Sequence, residues 1–260
     1  MGNGDDNTPL ALFKALQQAF GETIRERRGR PDLVKELSVQ AFDSFDGNVA
    51  IQIEDMPALA CHQGCAACCD LRVAATAPEI LLIAQYIVAT RPAFFRIGVD
   101  LADRVARDAA TTNGLDDAQR LALRQPCPFI ENGLCLVYRA RPLACRGHAS
   151  FDKAACAEAI VDLNREALVS MPHFLVRCVV QNALLASLRD AGLAWGLYEL
   201  NSALNLALTN PDAEATWRAG GDPLASASIA SAGKTLPKSH SQRCFSRCGF
   251  RASASSPRKC

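Results

Sequence analysis

The chain has 260 residues, of which 49% are hydrophobic, so a sizeable core can form, and its formal net charge is +1. That near-neutral charge gives no electrostatic basis for general nucleic-acid binding. The N-terminus is acidic and polar, and the apolar stretch ILLIAQYIVA is too short to cross a bilayer. We therefore expect no signal peptide, no membrane partner and a cytoplasmic location.

Apolar residues at steps of three and four predict a first helix over residues 10–24 and a second over about residues 31–45. Asp46-Gly47-Asn48 is a turn signal, and residues 49–53 have the composition of a short strand. We expect residues 1–60 to form an N-terminal helical segment.

Thr76, Pro78 and Glu79 predict the start of a helix, because a capping Thr is followed by Pro in the first turn and by Glu three residues after the cap. Asn132-Gly133 predicts a tight turn between two short extended pieces. Helical periodicity predicts further helices over residues 93–111, 115–125, 172–191 and 193–209, and a shorter one from residue 211.

Together these elements predict a mainly α fold, a helical domain with cysteine-rich metal-binding loops and at most short β-hairpin pieces. We expect residues 61–223 to form the cysteine-cluster domain. Residues 224–260 are rich in Ser, Ala, Lys and Arg and have no amphipathic period. Such a segment buries too little apolar area to offset its ordering entropy, so we predict a disordered basic tail.

Nine of the twelve cysteines precede the tail, and seven of these fall into two groups. Clustered thiols in a cytoplasmic protein favour metal binding over disulfides. Short Cys spacings bring sulfurs to one zinc ion or one iron–sulfur cluster. The side chains of adjacent cysteines diverge, so Cys68 and Cys69 fit better where they serve a cluster or two metals. The predicted metal ligands are Cys61, Cys65, Cys68, Cys69, Cys127, Cys135 and Cys145.

Other cysteines and the histidines are weaker candidates. Cys156 and Cys178 stand alone, and a lone Cys is more often a small buried hydrophobe than a ligand. His62 and His148 each lie beside the clusters and are candidate ligands or hydrogen-bond partners of ligands. His173 follows Met171-Pro172 and is expected to start a helix.

The spacing of Cys61, Cys65 and Cys68 also matches the cluster motif of radical S-adenosylmethionine enzymes. Those enzymes place the motif in a barrel of alternating strands and helices. Neither the alternating strands nor a downstream Gly-Gly-Glu motif is found in this sequence, so the radical-enzyme alternative is disfavoured.

Three segments in order, CHQGCAACC, TAPEILLIAQYI and CPFIENGLCLVYRARPLACR, resemble the bacterial CxxCxxCC cysteine-cluster family of the YkgJ type. The resemblance covers about residues 61–148 and implies a zinc- or iron-chelating domain, whose members are often described as iron–sulfur proteins. One departure is that three residues, not two, separate Cys61 from Cys65. Some relatives methylate flagellin lysines, so the resemblance also admits a protein lysine methyltransferase.

We therefore predict a metal-chelating protein that holds iron, as an iron–sulfur cluster or an Fe ion, or alternatively zinc. The roles that this leaves open are a redox-active centre, a structural zinc module and a metal carrier. Seven clustered sulfurs exceed what one tetrahedral ion needs. The two groups should converge in space although about 60 residues separate them.

Two arginines near the second cysteine group are expected to be structural. Arg141-Pro142 should shape the turn that aims Cys145, and Arg146 should support the fold rather than stabilise thiolates. The pattern identifies no catalytic residue and leaves open whether the protein is an enzyme.

Overall fold

The computed structural model describes residues 8–162 and 169–229, which form helices and two pairs of short antiparallel strands. The strands are β1 (Ala74–Thr76), β2 (Ile130–Glu131), β3 (Leu134–Cys135) and β4 (Leu197–Glu199). The α-helices are α1 (Pro9–Arg27), α2 (Leu33–Gln52), α3 (Ala77–Phe95), α4 (Leu101–Thr112), α5 (Asp117–Ala122), α6 (Leu143–Arg146), α7 (Lys153–Val161), α8 (Met171–Asp190), α9 (Leu200–Thr209) and α10 (Ala213–Arg218). The mainly α prediction is confirmed.

The N-terminal helices share a core with a helix far along the chain. Thr8 caps α1, because its hydroxyl accepts a hydrogen bond from the N–H of Ala11 at 3.1 Å. Phe20 and Ile24 are buried, and both α1 and α2 pack against α8. The described residues belong to one compact unit. The division of the chain at residue 60 stays a prediction.

The turn predicted at residues 46–48 and the strand predicted over residues 49–53 are wrong. The helix α2 continues through Gly47 to Gln52. Phe45 and Val49, one helical turn apart, are both buried. A glycine inside a helix costs only about 0.5–1 kcal/mol, which the burial of two such side chains outweighs.

The helix predicted over residues 93–111 is two elements. The first, α3, runs through Pro92 to Phe95, and the second, α4, begins after Asp100, whose carboxylate accepts from the N–H groups of Ala102 and Asp103. Gly98 lies between them with φ of +75°, a conformation that glycine adopts without strain. The helix predicted over residues 115–125 is limited to the six residues of α5.

Both strand pairs lie next to cysteine-rich loops. The predicted hairpin is present, because β2 pairs with β3 across Asn132 and Gly133, which have φ of +49° and +79°. The other pair joins distant segments, with Ala75 of β1 opposite Tyr198 of β4. The helix predicted over residues 193–209 therefore begins only at Leu200, because β4 precedes it.

The packed part of the chain extends past the predicted start of the tail. Leu224 is fully buried, residues 225–227 form a 3-10 turn, and Ser228 bridges to Tyr198. Residues 230–260, most of the predicted basic tail, lie outside the described residues. Within the described ranges, no helix combines the length and apolarity that crossing a lipid bilayer requires.

Candidate metal centre

Residues 61–69 form a series of tight turns that carry four thiols. The N–H of Cys65 donates to the carbonyl of His62 at 3.0 Å, and the N–H of Cys69 donates to the carbonyl of Ala66 at 3.0 Å. Gly64, between the first two cysteines, has φ of +98°, which favours glycine. Each turn therefore reverses the chain within a few residues and keeps the four cysteines in a small volume.

Both ends of this loop are tied to other segments. At its start, the N–H of Ala60 donates to the carbonyl of Ser150, and the N–H of Ser150 donates to Sγ of Cys61 at 3.2 Å. At its end, the N–H of Cys127 donates to the carbonyl of Cys69 at 2.8 Å. That last hydrogen bond brings the first cysteine group into backbone contact with the second.

The second group is presented by a hairpin and a short helix. Cys135 lies on β3 opposite Ile130, and the N–H of Ile130 donates to the carbonyl of Cys127 at 3.0 Å. Cys145 lies in the single turn of α6, and its N–H donates to the carbonyl of Pro142 at 2.9 Å. Cys127 thus lies just before the hairpin and Cys135 lies in its second strand, whereas Cys145 belongs to the segment that follows the hairpin.

Four thiols from the two groups interact electrostatically. Negative charge on Cys145 raises the pKa of Cys127, and negative charge on Cys68 and Cys135 raises the pKa of Cys145. A hydrogen bond to the Cys69 thiol and burial raise the pKa of Cys68. Burial is the main cause that raises the pKa of Cys127 and Cys135, and it raises that of Cys145 to about 12. Neutral thiols are therefore favoured until a metal displaces their protons.

Cys68 also influences the ionisation of Cys61, the first cysteine of the loop. Burial raises the pKa of Cys61, and the charges of Cys65, Cys68 and Cys156 raise it further. Cys156, on α7, was predicted to be a lone buried cysteine, and its neighbourhood with Cys61 depends on tertiary packing that no spacing reveals. Cys68 therefore has neighbours in both groups.

The nine described cysteines are free thiols, and seven of them are half-buried. In the described ranges, no three His, Cys, Asp or Glu side chains already stand together in a group that could hold a metal ion. The thiols are close enough to influence one another's ionisation but do not form a closed ligand shell. Their individual roles as ligands stay predictions.

Comparison with known proteins bears on this region of the chain. Residues 60–166, less than half of the chain, match the model of a family named CxxCxxCC, whose description reads "Putative zinc- or iron-chelating domain". We refer to residues 60–166 as the CxxCxxCC domain after this match. No curated protein and no solved structure matches it. The matched range includes Cys61, so the longer first spacing lies within the domain.

Behind the thiols, the CxxCxxCC domain contains a buried carboxylate that joins two helices. Glu79 is fully buried in the first turn of α3. Its Oε2 accepts from the N–H and the hydroxyl of Thr76, and its Oε1 accepts from the N–H of Leu143 at 2.6 Å. Burial raises the pKa of Glu79. Because Leu143 begins α6, Glu79 helps to set the position of Cys145.

Arg146, at the end of α6, has the structural role predicted for it. Its guanidinium donates to the carboxylate of Asp46 at 3.0 Å and to the backbone carbonyls of Arg141 and Arg139. The guanidinium carbon also lies 4.1 Å from the ring centre of Phe42. Arg146 therefore connects the segment that contains Cys145 to α2, which lies outside the matched domain.

The histidines are placed differently from one another. The ring of His62 is exposed, with Nδ1 2.8 Å from the carbonyl oxygen of Gln63. His148 is half-buried. His173 lies in the first turn of α8, as predicted, and shares a hydrogen bond 2.8 Å long with the Ser170 hydroxyl. Burial lowers the pKa of His173, so its ring is held neutral.

A buried ion pair was missed from the sequence, and it lies beside Cys127. Asp108 of α4 and Arg120 of α5 are almost fully buried, with 3.9 Å between Oδ1 and Nη2. Arg120 donates to the carbonyl of Gln125 at 2.7 Å, and the Gln125 side chain donates to Asp108. These hydrogen bonds hold Gln125, two residues before Cys127, against the ion pair. Both residues are on helices of polar composition, so only the tertiary packing reveals their burial.

Proposed function

We propose that the CxxCxxCC domain holds iron as an iron–sulfur cluster and that this centre transfers electrons. The observation that carries the proposal is the position of Cys68, which interacts electrostatically with Cys61 in its own loop and with Cys145 in the second group. The predicted ligands therefore form one neighbourhood, and they outnumber the four that a single tetrahedral ion takes. An iron–sulfur cluster uses several thiolates and, when bound, supplies a redox couple.

The donor set fits a thiophilic metal. Thiolate sulfur is the preferred ligand of zinc, of copper(I) and of iron in clusters, whereas magnesium and calcium prefer oxygen. The free thiols are half-buried, so water has limited access to a metal bound among them. Because the described side chains form no closed shell, binding has to draw the thiols together and release their protons.

A structural zinc ion is the second candidate, and one observation favours it. Cys68, Cys127, Cys135 and Cys145 are the thiols that link the two groups, and four is the number that a closed tetrahedral zinc shell requires. In that case Cys61, Cys65 and Cys69 lie outside the shell or serve a second ion.

Anaerobic purification followed by metal and sulfide analysis distinguishes the two candidates. We expect a brown protein with broad visible absorption, iron and acid-labile sulfide. A colourless protein with stoichiometric zinc would contradict the iron–sulfur proposal and support the zinc candidate. Protein that binds neither metal after reconstitution would contradict both.

Single substitutions then test the ligand set. Cys68→Ser should lower the metal content sharply, because Cys68 has neighbours in both groups. Cys178→Ser is the matched control, since Cys178 is a buried cysteine of α8 beyond the matched domain. Cys69→Ser separates the candidates further: a cluster or a second metal that uses both adjacent cysteines should lose metal, whereas a single zinc shell should not.

Two finer predictions remain proposals. We place the protein in the cytoplasm, where free thiols persist, and cell fractionation with an antibody against the chain tests this location. The alternative of a protein lysine methyltransferase is tested with the same preparation by incubation with a labelled methyl donor and flagellin. Labelled methyl groups on flagellin lysines would contradict the electron-transfer proposal and support the methyltransferase alternative.

A further inference from the structure

The C-terminal end of α3 presents several large apolar side chains to the surface. Val88 and Phe95 are each 64% exposed and Ile97 is 67% exposed. Apolar side chains that lie exposed beside one another, rather than singly, mark interaction surfaces. An open depression of about 510 Å³ lies among them, and it is lined by Val88, Arg91, Pro92, Phe95 and Arg96. We call these five residues and Ile97 the basic face.

The basic face carries a positive charge that is not neutralised locally. Arg91 donates to the carboxylate of Asp100 at 2.9 Å, so its charge is partly offset. Arg96 is exposed and forms no ion pair with any residue of the two described ranges. A partner for this face therefore needs an apolar group for the depression and a negative charge for Arg96.

The end of α2 has the complementary properties. Ile51 is 71% exposed, and Met56, in the turn that follows the helix, is 38% exposed. Glu54 and Asp55 between them are exposed and, within residues 8–162 and 169–229, form no ion pair. The N–H of Met56 donates to the carbonyl of Ile53 at 3.0 Å, which closes the turn. We call Ile51, Glu54, Asp55 and Met56 the acidic face.

The two faces lie at opposite ends of the pair formed by α2 and α3. The helix α6 contacts α2 through the hydrogen bond of Arg146 to Asp46. It contacts the start of α3 through the hydrogen bond of Leu143 to Glu79. Since α2 and α3 also pack against each other, the end of α2 lies beside the start of α3. Phe95 ends α3 about 24 Å further along at 1.5 Å per residue, so one chain does not join its own two faces.

We propose that the basic face of one copy of this chain binds the acidic face of a second copy. Ile51 of one copy occupies the depression beside Phe95 of the other, and Glu54 and Asp55 supply the negative charge opposite Arg96. The contact joins two different surfaces, so each added copy leaves one face of each kind free. The chain therefore associates head to tail, independently of any bound metal.

Sedimentation velocity of the full chain under reducing conditions tests the association. A contact of this small size has micromolar or weaker affinity, so we expect monomer at about 5 µM and dimers with larger species at about 500 µM. Phe95→Glu should weaken the association at least about tenfold, because it removes an apolar anchor from the centre of the contact. Leu10→Glu is the matched control, since Leu10 is a half-exposed residue of α1 in neither face, and it should change the affinity by less than about twofold.

A mixture of two variants tests the head-to-tail arrangement. Phe95→Glu keeps the acidic face intact, and Ile51→Glu keeps the basic face intact. Each variant alone should remain monomeric at the concentration at which the wild type associates. An equimolar mixture should form dimers and nothing larger, because only one intact face of each kind is left. Larger species or an absence of dimers in the mixture would contradict the arrangement.

Reversal of charge tests the electrostatic part of the proposal. Arg96→Glu should weaken the association, and Glu54→Lys with Asp55→Lys should do the same, because each places like charges opposite one another. All three substitutions in one chain restore opposite charges and should restore the association. Failure of the combined variant to associate would show that the pairing of these charges is wrong.

The remaining outcomes decide whether the faces bind each other at all. All the substituted side chains are exposed, so the variants should melt within about 3 °C of the wild type. A wild-type chain that stays monomeric at about 500 µM would overturn the proposal. Association that persists unchanged in both Phe95→Glu and Ile51→Glu would overturn it as well. Metal content is measured separately, so either failure leaves the proposed metal function standing.

Discussion

The carboxylate of Glu79 accepts a hydrogen bond from the backbone N–H of Leu143 at 2.6 Å, although 64 positions separate the two residues. The same side chain closes the capping box of α3 with Thr76. One buried carboxylate therefore joins the start of α3 to the start of the helix that carries Cys145. This contact therefore helps to position the segment that contains Cys145.

Replacing Glu79 by alanine should lower the free energy of unfolding by about 2–5 kcal/mol, because two buried N–H groups lose their acceptor. Urea denaturation of the metal-free protein measures the change. Glu26→Ala is the control, since Glu26 is exposed in α1, and its effect should stay within about 0.5 kcal/mol. Equal stability of the two variants would show that Glu79 does not join the helices.

His173 should make stability depend on pH. Burial and the charge of Arg141 lower its pKa from the ordinary 6.5, while Asp46 acts in the opposite direction. Below 6.5 the unfolded chain takes up a proton that the folded chain resists, so the free energy of unfolding falls as pH drops toward the lowered pKa.

Comparison of His173→Gln with the wild type measures this contribution. The stability difference between about pH 7.5 and pH 5.5 should be smaller in His173→Gln than in the wild type. An unchanged dependence in His173→Gln would mean that another group controls acid unfolding in this range.

Asp108→Asn should destabilise the protein by about 3–5 kcal/mol, because it leaves the charge of Arg120 buried and unpaired. Asp103→Asn is the matched control on the same helix. Asp103 pairs with Arg107 on the exposed surface, so its loss should cost no more than about 0.5 kcal/mol. Thermal unfolding followed by circular dichroism compares the two. Similar melting temperatures would contradict the assigned role of the buried pair.

Two Gly→Ala substitutions should change the free energy of unfolding in opposite directions. A Cβ at Gly147 would lie 2.5 Å from Cδ and 2.6 Å from Cβ of Arg177 on α8, so Gly147→Ala should cost about 1–3 kcal/mol. A Cβ at Gly47 would meet nothing within 4 Å outside the backbone of α2, so Gly47→Ala should gain about 0.5–1 kcal/mol. Urea denaturation of both variants gives the two values. Stabilisation by Gly147→Ala would mean that α6 and α8 can separate easily.

Local signals in the sequence identified features whose cause is local. The capping residues Thr76 and Glu79 and the Asn132-Gly133 turn were predicted because their hydrogen bonds and backbone angles involve near neighbours. The turn expected at Gly47 was wrong because burial of residues on either side outweighs the glycine. Local composition could not show which of these effects is larger.

The candidate site also combines local patterns, which the sequence reveals, with contacts between distant segments, which it does not. The two cysteine groups were visible as patterns, but the neighbourhood of Cys61 and Cys156 depends on where α7 packs. The second hydrogen bond of Glu79 and the burial of Arg120 likewise depend on contacts between distant segments. Charged residues in helices are usually exposed, so nothing in the local pattern marked Arg120 as buried.

The β1–β4 pair has a consequence for the symmetry of the fold. Each strand has three residues, each is followed at once by a helix, and these helices, α3 and α9, pack together. An antiparallel pair has a local two-fold axis, here between Ala75 and Tyr198, which exchanges one strand with the other. Only the unit that contains β1 is preceded by a cysteine loop, whereas the short turn after α8 precedes the other. The cysteine-rich loop is thus attached to one side only of a locally symmetric strand pair.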